Sequence, residues 1–542
     1  MPDDATNVLI AALGEHPAVI TAAVTAIAKL AGISIHRLHV IHPKDTGKYI
    51  GREGFSLIER HLQGRCEVFS VELPFADANS TATSFQFLQM LTDVLEQYRD
   101  KQAYNVYLLL AGGRKNVAAL MALTSQFFPS VRGLYHLLDR DEDSRNPAFP
   151  SIEQMELEMT ETEVAAALDP PLDRLNLIWI PYPGAFASSV ELRRTLKSLA
   201  AGKESETVEL SPDAERFFRE VFQPLSGSRS LEVWLSQRAY DQYQLWSTSG
   251  NSHAGEFLTC FEQMRNPFIL KERMHGTFNQ FHFFKRRRTP ERPFFYTEPN
   301  PIHLYPERSV ERVVICGLAV EQGNGQYDPS SDEILANLDD VPCIGLSDLN
   351  RRDLTLLMPL GKSPMVATQT YTLLTQSEAE SRPRIPTIAL IYPAQNPVIG
   401  NGARLLKRQF ERRGVTVEDK PIRDLRDLDS YEACETYLQS LLGAIQTLRE
   451  KYPDRKIALS LSGGRKGMSA LTYFAAQYAG IEKVYHTLIT DVELEKRIES
   501  ETTPRSLDSL PTDEARAKRL FLEEYDQGNF ELFAIPVISL TR

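Results

Sequence analysis

The chain has 542 residues, 42% hydrophobic and 24% charged, with a formal net charge of −12, which is typical of a globular protein with roughly three to four domains. The negative charge excludes a nucleic-acid-binding coat over the whole surface but leaves a local basic site open, and no apolar run approaches the roughly 20 residues that span a bilayer, so no membrane partner is expected. Five scattered cysteines without a CxxC pair, and an acidic N-terminus unlike a signal peptide, predict a cytoplasmic protein without a metal site.

Residues 1–190 alternate short apolar runs with amphipathic stretches. The apolar runs predict strands at 8–13, 36–41 and 106–110. Apolar residues at helical spacing predict helices at 17–30, 55–62 and 84–98. Because buried strands that alternate with helices form open parallel sheets covered on both faces, we predict an α/β, Rossmann-like domain here.

Residues 195–350 follow a different pattern, in which helices precede a run of strands. Helices are predicted at 206–222, 238–246 and 253–264. Strands are predicted at 231–235, 278–284, 294–297, 302–305 and 313–320, with a loop at 323–332. This order predicts an inserted α+β module, in which two helices are followed by an antiparallel sheet.

Residues 352–542 return to the alternating pattern of the first domain. Strands are predicted at 354–360, 387–391 and 456–461, and helices at 364–376, 403–410 and 431–452. A second α/β domain of the same class is therefore expected, and the chain would carry two parallel sheets with an insert between them.

Five short motifs occur twice in the same order. They are LGEHPAV at 13–19 and LGKSPMV at 360–366, IHP at 41–43 and IYP at 391–393, GGRK at 112–115 and 463–466, YH at 135–136 and 485–486, and IP at 180–181 and 535–536. The spacing drifts little, since Gly361 follows Gly14 by 347 residues and Pro536 follows Pro181 by 355. We therefore predict a duplicated domain, and call 1–190 the first repeat and 352–542 the second repeat.

Each GGRK turn follows a predicted strand and precedes a helix. In open parallel sheets, ligands bind at such carboxyl ends of strands, where helix N-terminal N–H groups attract anions and arginine can grip a phosphate with two hydrogen bonds. The first-strand turns would line the same crevice. Two such turns predict one ligand with two-fold symmetry and several phosphates. The alternative is that the glycines merely end a strand and that the basic pair is solvated.

The predicted ligand-binding residues come from both repeats. In the first repeat they are Gly14, His16, Pro17, Gly112, Gly113, Arg114, Lys115 and Asn116. In the second repeat they are Gly361, Lys362, Ser363, Ser462, Gly463, Gly464, Arg465, Lys466, Gly467 and Met468.

Both repeats resemble the CRISPR-associated Rossmann fold (CARF) family, in the turn LGEHP at 13–17 and the element LSGGRKGM at 461–468. The resemblance covers about two thirds of the chain. It implies that the two repeats pair about a two-fold axis as an internal pseudo-dimer and bind cyclic oligoadenylate made by type III CRISPR complexes. Cyclic tetra-adenylate is the expected ligand, and the hexa-adenylate ring is the alternative. No other cofactor is expected.

The same resemblance leaves a second activity open, because some CARF proteins cleave their ligand as ring nucleases. A ribose 2′-OH would attack the adjacent phosphate, Lys466 or Arg465 would stabilise the phosphorane, and Ser462 would position it. The first repeat has Ala111 in place of this serine. The two sites are therefore not equivalent, and one of them would bind without cutting.

The insert holds the most concentrated positive charge of the chain. Between Lys271 and Arg312 there are nine Lys or Arg and five Glu. Aromatic residues are interleaved with them, namely Phe278, Phe281, Phe283, Phe284, Phe294, Phe295, Tyr296 and Tyr305. Cations for phosphates and rings for bases are typical of an RNA-binding surface. The alternative is that the rings fill a core and the arginine run is a solvated hairpin tip.

The helix–helix–sheet order at about 228–330 resembles the RelE family of ribosome-dependent mRNA interferases. The resemblance implies cleavage of mRNA in the ribosomal A site, without a metal, by Arg, Lys, Tyr and sometimes His. The candidate catalytic residues are Arg273, His275, His282, Lys285 and Arg286. A base would take the 2′-OH proton, cations would hold the phosphorane, and an acid would protonate the leaving 5′-oxygen.

Three functions stay open at this level. The preferred one is a type III CRISPR ancillary effector that senses cyclic oligoadenylate and cleaves RNA, with mRNA on the ribosome as the expected target. The others are a ring nuclease with a structural insert, and a ligand-gated nucleic-acid-binding protein without catalysis. Two further nuclease motifs are weak: Arg37 and His42 fit R-x4-6-H but lie on a predicted core strand, and the E-x-K at 418–420 lacks an acidic partner.

Overall fold

A computed structural model describes most of the chain. The described residues are 5–44, 51–140, 149–182, 184, 192, 208–209, 231–249, 251–265, 267–278, 281–286, 289–299, 311–323, 326–327, 341–346, 353–376, 383–452, 455–510, 512–537 and 540–541. The chain divides into two compact units. The first unit comprises Met1–Gln223, Leu356–Ala444 and Ala458–Thr541, and the second comprises Pro224–Thr355 and Ile445–Ile457.

The first repeat forms a six-stranded sheet in the order β3-β2-β1-β4-β5-β6. Its strands are β1 (Thr6–Ala12), β2 (Arg37–His42), β3 (Glu67–Glu72), β4 (Tyr104–Leu109), β5 (Val131–Asp139) and β6 (Leu175–Ile180). Its helices are α1 (Ala18–Leu30), α2 (Arg52–Leu62), α3 (Thr81–Glu96), α4 (Lys115–Ser125), α5 (Ile152–Leu157) and α6 (Glu161–Leu168). The sheet is parallel from β3 to β5, and β6 runs antiparallel to β5. The predicted α/β class is confirmed.

After a short strand, β7 (Val208–Glu209), the insert forms a mixed sheet. Its strands are β8 (Glu232–Ser236), β9 (Met274–Phe278), β10 (Phe281–Phe284), β11 (Glu291–Pro299), β12 (Glu311–Gly323), β13 (Gln326–Tyr327) and β14 (Pro342–Gly345). Its helices are α7 (Gln237–Thr248), α8 (Ser252–Met264) and α9 (Pro267–Arg273). The order is β14-β8-β12-β11-β10-β9, and β8 runs parallel to β12 while the other pairs are antiparallel. The predicted α+β class is confirmed, but the described residues of the insert form three helices where two were predicted, and its sheet is mixed where an antiparallel one was predicted, because β8 runs parallel to β12.

The second repeat copies the topology of the first, with the order β17-β16-β15-β18-β19-β20. Its strands are β15 (Asp353–Pro359), β16 (Arg384–Pro393), β17 (Thr416–Ile422), β18 (Lys456–Ser460), β19 (Lys483–Ile489) and β20 (Phe530–Ile535), and a last strand β21 (Leu540–Thr541) pairs with β7. Its helices are α10 (Met365–Gln376), α11 (Pro397–Arg412), α12 (Tyr431–Lys451), α13 (Lys466–Tyr478), α14 (Val492–Glu501), α15 (Pro504–Asp508) and α16 (Asp513–Leu520). As in the first repeat, the edge strand at this end of the six-stranded sheet, β20, is antiparallel to its neighbour.

Several local predictions differ from the structure. Residues 267–273 form helix α9, for which no element was predicted, and the helix can begin at Pro267 because proline is well tolerated in the first turn of a helix. The single strand predicted at 278–284 corresponds to the last residue of β9 and the whole of β10, which pair antiparallel, and residues 279–280 lie outside the described residues. In the helix predicted at 206–222, residues 208–209 form strand β7, and the rest lies outside the described residues. The strand predicted at 302–305 and most of the loop at 323–332 also lie outside them.

Polar caps explain where several helices begin. The Asn396 side chain accepts hydrogen bonds from the N–H groups of Val398 and Ile399, and Pro397 occupies the first position of α11. Ser80 and Thr83 form a reciprocal cap at the start of α3. Such caps satisfy N–H groups that have no partner within the helix, and each stabilises the helix by about 1 kcal/mol.

The two repeats are joined through helices α4 and α13, which pack against each other. Ten of the eleven residues of α4 and eleven of the thirteen of α13 are buried. Both helices start at a GGRK turn, so this packing brings the two turns together. Within the described part of the chain, none of the helices has the length and apolar character needed to cross a bilayer.

Candidate functional site

The first glycine of each GGRK turn lies against the backbone of the neighbouring strand. A Cβ atom at Gly112 would stand 1.6 Å from the carbonyl oxygen of Ala12, and one at Gly463 would stand 1.7 Å from that of Pro359. No side chain fits such a distance. The glycines therefore allow β1 and β4, and likewise β15 and β18, to end side by side. The sequence analysis explained these turns by the binding of a ligand, whereas the first glycine of each has a structural role.

The second glycine of each turn meets the turn after the first strand. Gly113 and Gly464 have positive φ angles, +44° and +74°, which favour glycine. A Cβ at Gly14 would lie 3.3 Å from the Gly113 nitrogen, and one at Gly361 would lie 2.7 Å from the Gly464 Cα. The two turns of each repeat thus lie in contact at the carboxyl ends of the strands, where the sequence predicted the ligand crevice.

The lysine of each GGRK turn forms a hydrogen bond with the other repeat. Lys115 Nζ donates a hydrogen bond to the Ser462 carbonyl oxygen over 2.7 Å, and Lys466 Nζ donates to the Ala111 carbonyl oxygen over 2.5 Å. The two bonds are equivalent under the duplication, because each lysine reaches the residue before the other GGRK turn. An ammonium has three donors, so each lysine keeps two N–H groups for another acceptor. The crevice therefore holds two neighbouring ammonium groups related by a local two-fold axis.

The GGRK arginines form ion pairs with acidic residues. Arg465 donates from Nε and Nη2 to both carboxylate oxygens of Asp427, at 2.7 and 2.5 Å. Arg114 lies 2.7 Å from Asp77 through Nε and 3.7 Å from Glu495 through Nη1. The predicted two-bond grip of Arg465 on a phosphate would require this edge of its guanidinium to leave Asp427. In the structure, the arginines form ion pairs with nearby acidic side chains, and the lysines supply the positive charge of the crevice.

The charges in the crevice shift several pKa values. Desolvation and the nearby Lys115 ammonium lower the pKa of Lys466 to about 8. Desolvation also lowers the pKa of Lys115. Burial on its own would raise the pKa of Asp427, but the hydrogen bonds and the charge of Arg465 outweigh it and lower that pKa. Lys466 therefore changes its charge close to neutral pH.

The two repeats differ beside the crossed lysines. The Ser462 hydroxyl is buried and accepts hydrogen bonds from the backbone N–H and the hydroxyl of Thr487, at 2.7 and 2.9 Å. It lies 3.3 Å from His486 Nδ1. Ala111 occupies this position in the first repeat and makes no such bonds. The predicted role of Ser462 in positioning a phosphorane is not supported, because its hydroxyl is used inside the protein.

A histidine of the first repeat lies beside the second GGRK turn. His136, on β5, is 4% exposed, and neither ring nitrogen has a hydrogen-bond partner among the described residues. A Cβ at Gly467 would lie 3.6 Å from its ring. Burial lowers the pKa of His136 to about 3, and the Lys466 ammonium adds to the effect. The imidazole ring is therefore neutral, and it lies buried next to the crevice.

The other predicted ligand residues divide into buried and accessible ones. Pro17, Asn116 and Met468 are buried, and Asn116 Nδ2 donates to the Ala78 carbonyl oxygen over 2.6 Å. Direct contact of these three side chains with a ligand is therefore not supported. His16, Lys362 and Ser363 are exposed or half-buried in the first-strand turns, as a ligand contact requires.

Sequence reasoning missed several residues of this region. Asp77 and Asp427 pair with the arginines and stand 350 residues apart, the same spacing as the repeated motifs. Gln126 and Gln477, 351 residues apart, meet at the join between α4 and α13. The constant spacing is a signal that would have found all four.

In the insert, most of the aromatic residues that the sequence assigned to RNA stacking belong to the core. Phe281, Phe284, Phe294 and Phe295 are buried, with Phe295 packed among residues of α7, α8 and β12. Phe283 and Tyr296 are half-buried, and Tyr305 lies outside the described residues. The stacking prediction is therefore wrong for the four buried rings. Alternate residues of a strand face opposite sides, and helices cover one side of this sheet.

The five predicted catalytic residues do not gather at one point. His275 is opposite Phe283 in the β9–β10 register and stacks on it, with ring centroids 6.0 Å apart. His282 precedes Phe283 on β10 and is opposite Phe295, at 6.0 Å. Because neighbouring residues of a strand point to opposite faces, the two histidines lie on different sides of the sheet.

The three cations of that set contact residues of the same unit. Arg273 Nη1 donates to Gln263 Oε1 over 2.6 Å, and Arg286 Nη1 donates to Glu256 Oε2 over 2.5 Å. Both acceptors lie on α8, while Lys285 stands 3.8 Å from a Glu321 carboxylate oxygen. His282 is therefore the histidine of the set that shares the α8 side with Arg273 and Arg286. Their catalytic roles stay a prediction.

The described residues contain no group of three or more His, Cys, Asp or Glu side chains placed to hold a metal ion. The Glu418 and Lys420 side chains of the E-x-K sequence form an ion pair with each other at 3.5 Å on β17.

The chain is similar to solved structures at low identity. One is a type III CRISPR defence DNA nuclease activated by cyclic oligoadenylate, 13% identical, with 90% of this chain and 66% of that chain covered and a TM-score of 0.36. Another is Enterococcus italicus Csm6 bound to cyclic hexa-2′-fluoro-hexa-dAMP, also 13% identical, with 32% and 42% covered and a TM-score of 0.24. TM-scores this low do not establish a shared fold. No curated protein matches the chain.

A family model gives the firmer result. The model described as CRISPR-associated protein NE0113 matches residues 16–211 and 363–542, which is more than half of the chain. The matched segments contain both GGRK turns, and the match confirms the CRISPR association that these turns predicted. The chain belongs to the CRISPR-associated protein NE0113 family.

Proposed function

We propose that the chain senses cyclic oligoadenylate in the crevice between its two repeats and, when the ligand is bound, cleaves RNA with the second unit. The observation that carries the sensing role is the crossed pair of lysines. Lys115 and Lys466 place two ammonium groups about one local two-fold axis. A ring of alternating ribose and phosphate groups has matching symmetry and negative charge, and one chain would bind one ring.

The ligand would engage the lysines by competing with backbone carbonyls. Each ammonium has donors left over, and a phosphate is a stronger acceptor for an ammonium than a neutral carbonyl is. Desolvation of the two lysines makes their mutual repulsion costly, and an anion between them would relieve it. Ligand binding would thus weaken the two lysine–carbonyl hydrogen bonds that join the repeats. The packing of one repeat against the other would then depend on whether the ligand is bound.

The cleavage role rests on the second unit. Arg273 and Arg286 lie on the α8 side of its sheet and Lys285 follows β10, and cations in this arrangement suit a phosphodiester with developing negative charge. The order of its described elements, a strand, three helices and then the rest of the sheet, supports the RelE-like interpretation, with mRNA on the ribosome as the expected substrate.

A ring nuclease is the second candidate, and one observation favours it. The Lys466 ammonium lies at the crossed contacts where the phosphates would bind, and there it would stabilise the charge of a phosphorane. The two GGRK sites also differ, because the Ser462 hydroxyl network has no counterpart at Ala111. Because of this asymmetry, only the phosphodiester bond of the cyclic oligoadenylate that lies at one of the two sites would be cleaved.

The test has two readouts from one incubation. Purified protein is mixed with cyclic tetra-adenylate or cyclic hexa-adenylate and a coupled translation mixture, mRNA ends are mapped, and the ligand is followed by chromatography. Ligand-dependent mRNA cuts at codon positions support the proposal. An intact mRNA with a linearised ligand supports the ring nuclease, and retained RNA without products supports a binding protein.

Binding is measured separately by calorimetry. We expect one cyclic tetra-adenylate per chain and at least a 10-fold loss of affinity in the K115A/K466A variant, since each lost charged hydrogen bond costs about 1.5–3 kcal/mol. Lys29 is an exposed lysine at the end of α1, and the K29A variant is the matched control. Equal affinity of both variants would contradict the assignment of the crevice.

A further inference from the structure

The second unit contains a paired histidine and carboxylate outside the set of residues that the sequence identified. His253, in the first turn of α8, has its Nδ1 2.6 Å from Glu291 Oε1. Glu291 is the first residue of β11 and is 2% exposed. The pair joins the start of a helix to the start of a central strand, where side chains are held rigidly.

The environment of the carboxylate is unusual. Glu291 Oε2 is buried and has no hydrogen-bond partner among the described residues. A buried carboxylate with a single partner is costly to keep, and full pairing is the rule for such groups. Packing alone gives no reason for this carboxylate, since a glutamine or a leucine would be less costly. The arrangement indicates a group that acts on its histidine.

The carboxylate fixes the proton on the imidazole ring. An ionised carboxylate only accepts hydrogen bonds, so in the neutral ring the proton lies on Nδ1 and Nε2 keeps its lone pair. The His253 side chain is 32% exposed, and no described residue hydrogen-bonds its Nε2. Nε2 is therefore an oriented base that a substrate can reach.

One cation of the candidate set lies on the same side of the sheet as this histidine. Arg286 pairs with Glu256, which is one helical turn after His253 on the same side of α8. Arg292 follows Glu291 on β11 and therefore points to the other face, where it pairs with the Glu321 carboxylate that also lies 3.8 Å from Lys285. The α8 side of the unit thus brings together a base, His253, and a cation, Arg286.

We infer that His253 and Glu291 form the proton-transfer pair of the second unit and act on an RNA phosphodiester. This assignment rests on the proposed function and specifies its site. His253 Nε2 takes the proton of a ribose 2′-OH, the 2′-oxygen forms a bond to the adjacent phosphorus, and the bond from phosphorus to O5′ breaks. O5′ takes a proton from solvent, and His253 returns its own proton to solvent. The products are a 2′,3′-cyclic phosphate and a 5′-hydroxyl.

In this pair, His253 is the catalytic residue and Glu291 is a positioning residue. Arg286 belongs to the earlier candidate set and holds the phosphorane charge. The histidines of that set, His275 and His282, stack on phenylalanine rings from opposite sides of the sheet.

The experiment uses the full chain with cyclic tetra-adenylate and a defined mRNA in a reconstituted translation mixture, under single-turnover conditions. H253Q keeps an N–H donor for Glu291 but offers no base, and we expect at least a 100-fold loss of the cleavage rate. H253A should lose as much and recover part of the rate when imidazole is added. E291Q should lose about 10- to 100-fold in rate with unchanged RNA affinity.

The control is H61Q, because His61 is a half-buried histidine on α2 in the other unit. It should cleave as the wild type does, and all variants should bind cyclic tetra-adenylate with wild-type affinity. Full cleavage by H253Q, or a loss in H253A that imidazole does not restore, overturns the assignment and leaves the proposed function standing. No cleavage by the wild type overturns the proposed function, and the assignment falls with it.

Discussion

Gln126 and Gln477 meet in the interior of the first unit, where Gln126 Nε2 donates a hydrogen bond to Gln477 Oε1 over 2.8 Å. Each is at most 1% exposed, and each follows the lysine of its GGRK turn by eleven residues. Equivalent residues of a duplicated domain meet in this way only near the axis that relates the two copies. The local two-fold axis therefore passes between them.

The first prediction concerns this pair. The Q126A variant removes the buried hydrogen bond that Gln477 Oε1 accepts, and we expect the free energy of unfolding to fall by about 1–3 kcal/mol. Urea unfolding measures the change. Gln97 is an exposed glutamine just after α3, and Q97A should stay within about 0.5 kcal/mol of the wild type. Equal effects of the two substitutions would place the axis elsewhere.

The second prediction concerns the strand-end glycines. In G112A or G463A, the new methyl group would collide with a carbonyl oxygen of the neighbouring strand, at 1.6 or 1.7 Å. We expect the free energy of unfolding to fall by more than about 3 kcal/mol, or the protein not to fold, because the backbone cannot move aside as a side chain can.

The matched control for these glycines is Gly400. It lies inside α11 with no atom within 4 Å of a Cβ position, so G400A should stabilise the protein by about 0.5–1 kcal/mol. Thermal unfolding of the three variants gives the comparison. A stable G112A protein would show that β1 and β4 end farther apart than described.

The sequence predicted the fold of the two repeats and the glycine turns at their strand ends, for a physical reason. A parallel sheet buries its strands on both faces, so β1 and β4 appear as unbroken apolar runs, and a turn that brings two strand ends together requires glycine. Both signals depend on neighbours within one repeat. The crossing of Lys115 and Lys466 depends on how two distant repeats pack, and no local pattern carries that orientation.

The insert was harder to predict for a different reason. An alternating strand such as β10 has two faces, and the sequence does not say which side the helices cover. His275 and His282 therefore seemed to belong to one cluster, although the register separates them. The pairing of His253 with Glu291 could not be predicted from the sequence either, since it depends on where α8 crosses β11.

The third prediction concerns the ion pair of Asp427 with Arg465. D427N keeps the size of the side chain and removes its charge, and we expect the free energy of unfolding at pH 7 to fall by about 1–2 kcal/mol, discounted for partial exposure. The folded pKa of Asp427 is lowered by Arg465. The stabilisation is therefore present above the unfolded pKa and is lost as pH falls through the folded pKa. Urea unfolding at pH 7 and at pH 3 should show the difference shrinking, and a constant difference would contradict the ion-pair account.

The last prediction concerns the charge of Lys466 and ligand binding. Desolvation lowers its pKa to about 8, so the ammonium is present at pH 7 and largely lost at pH 9. A phosphate ligand would lose one charged contact over this range. Calorimetry with cyclic tetra-adenylate at constant ionic strength should therefore show affinity falling several-fold as pH rises, since a lost charge pair in a partly desolvated site is worth on the order of 1 kcal/mol. K466R keeps its charge at both pH values, because a guanidinium does not titrate here. Its affinity should change less with pH than that of the wild type, and an equally steep fall in K466R would assign the titration to another group, of which Lys115 is the nearest.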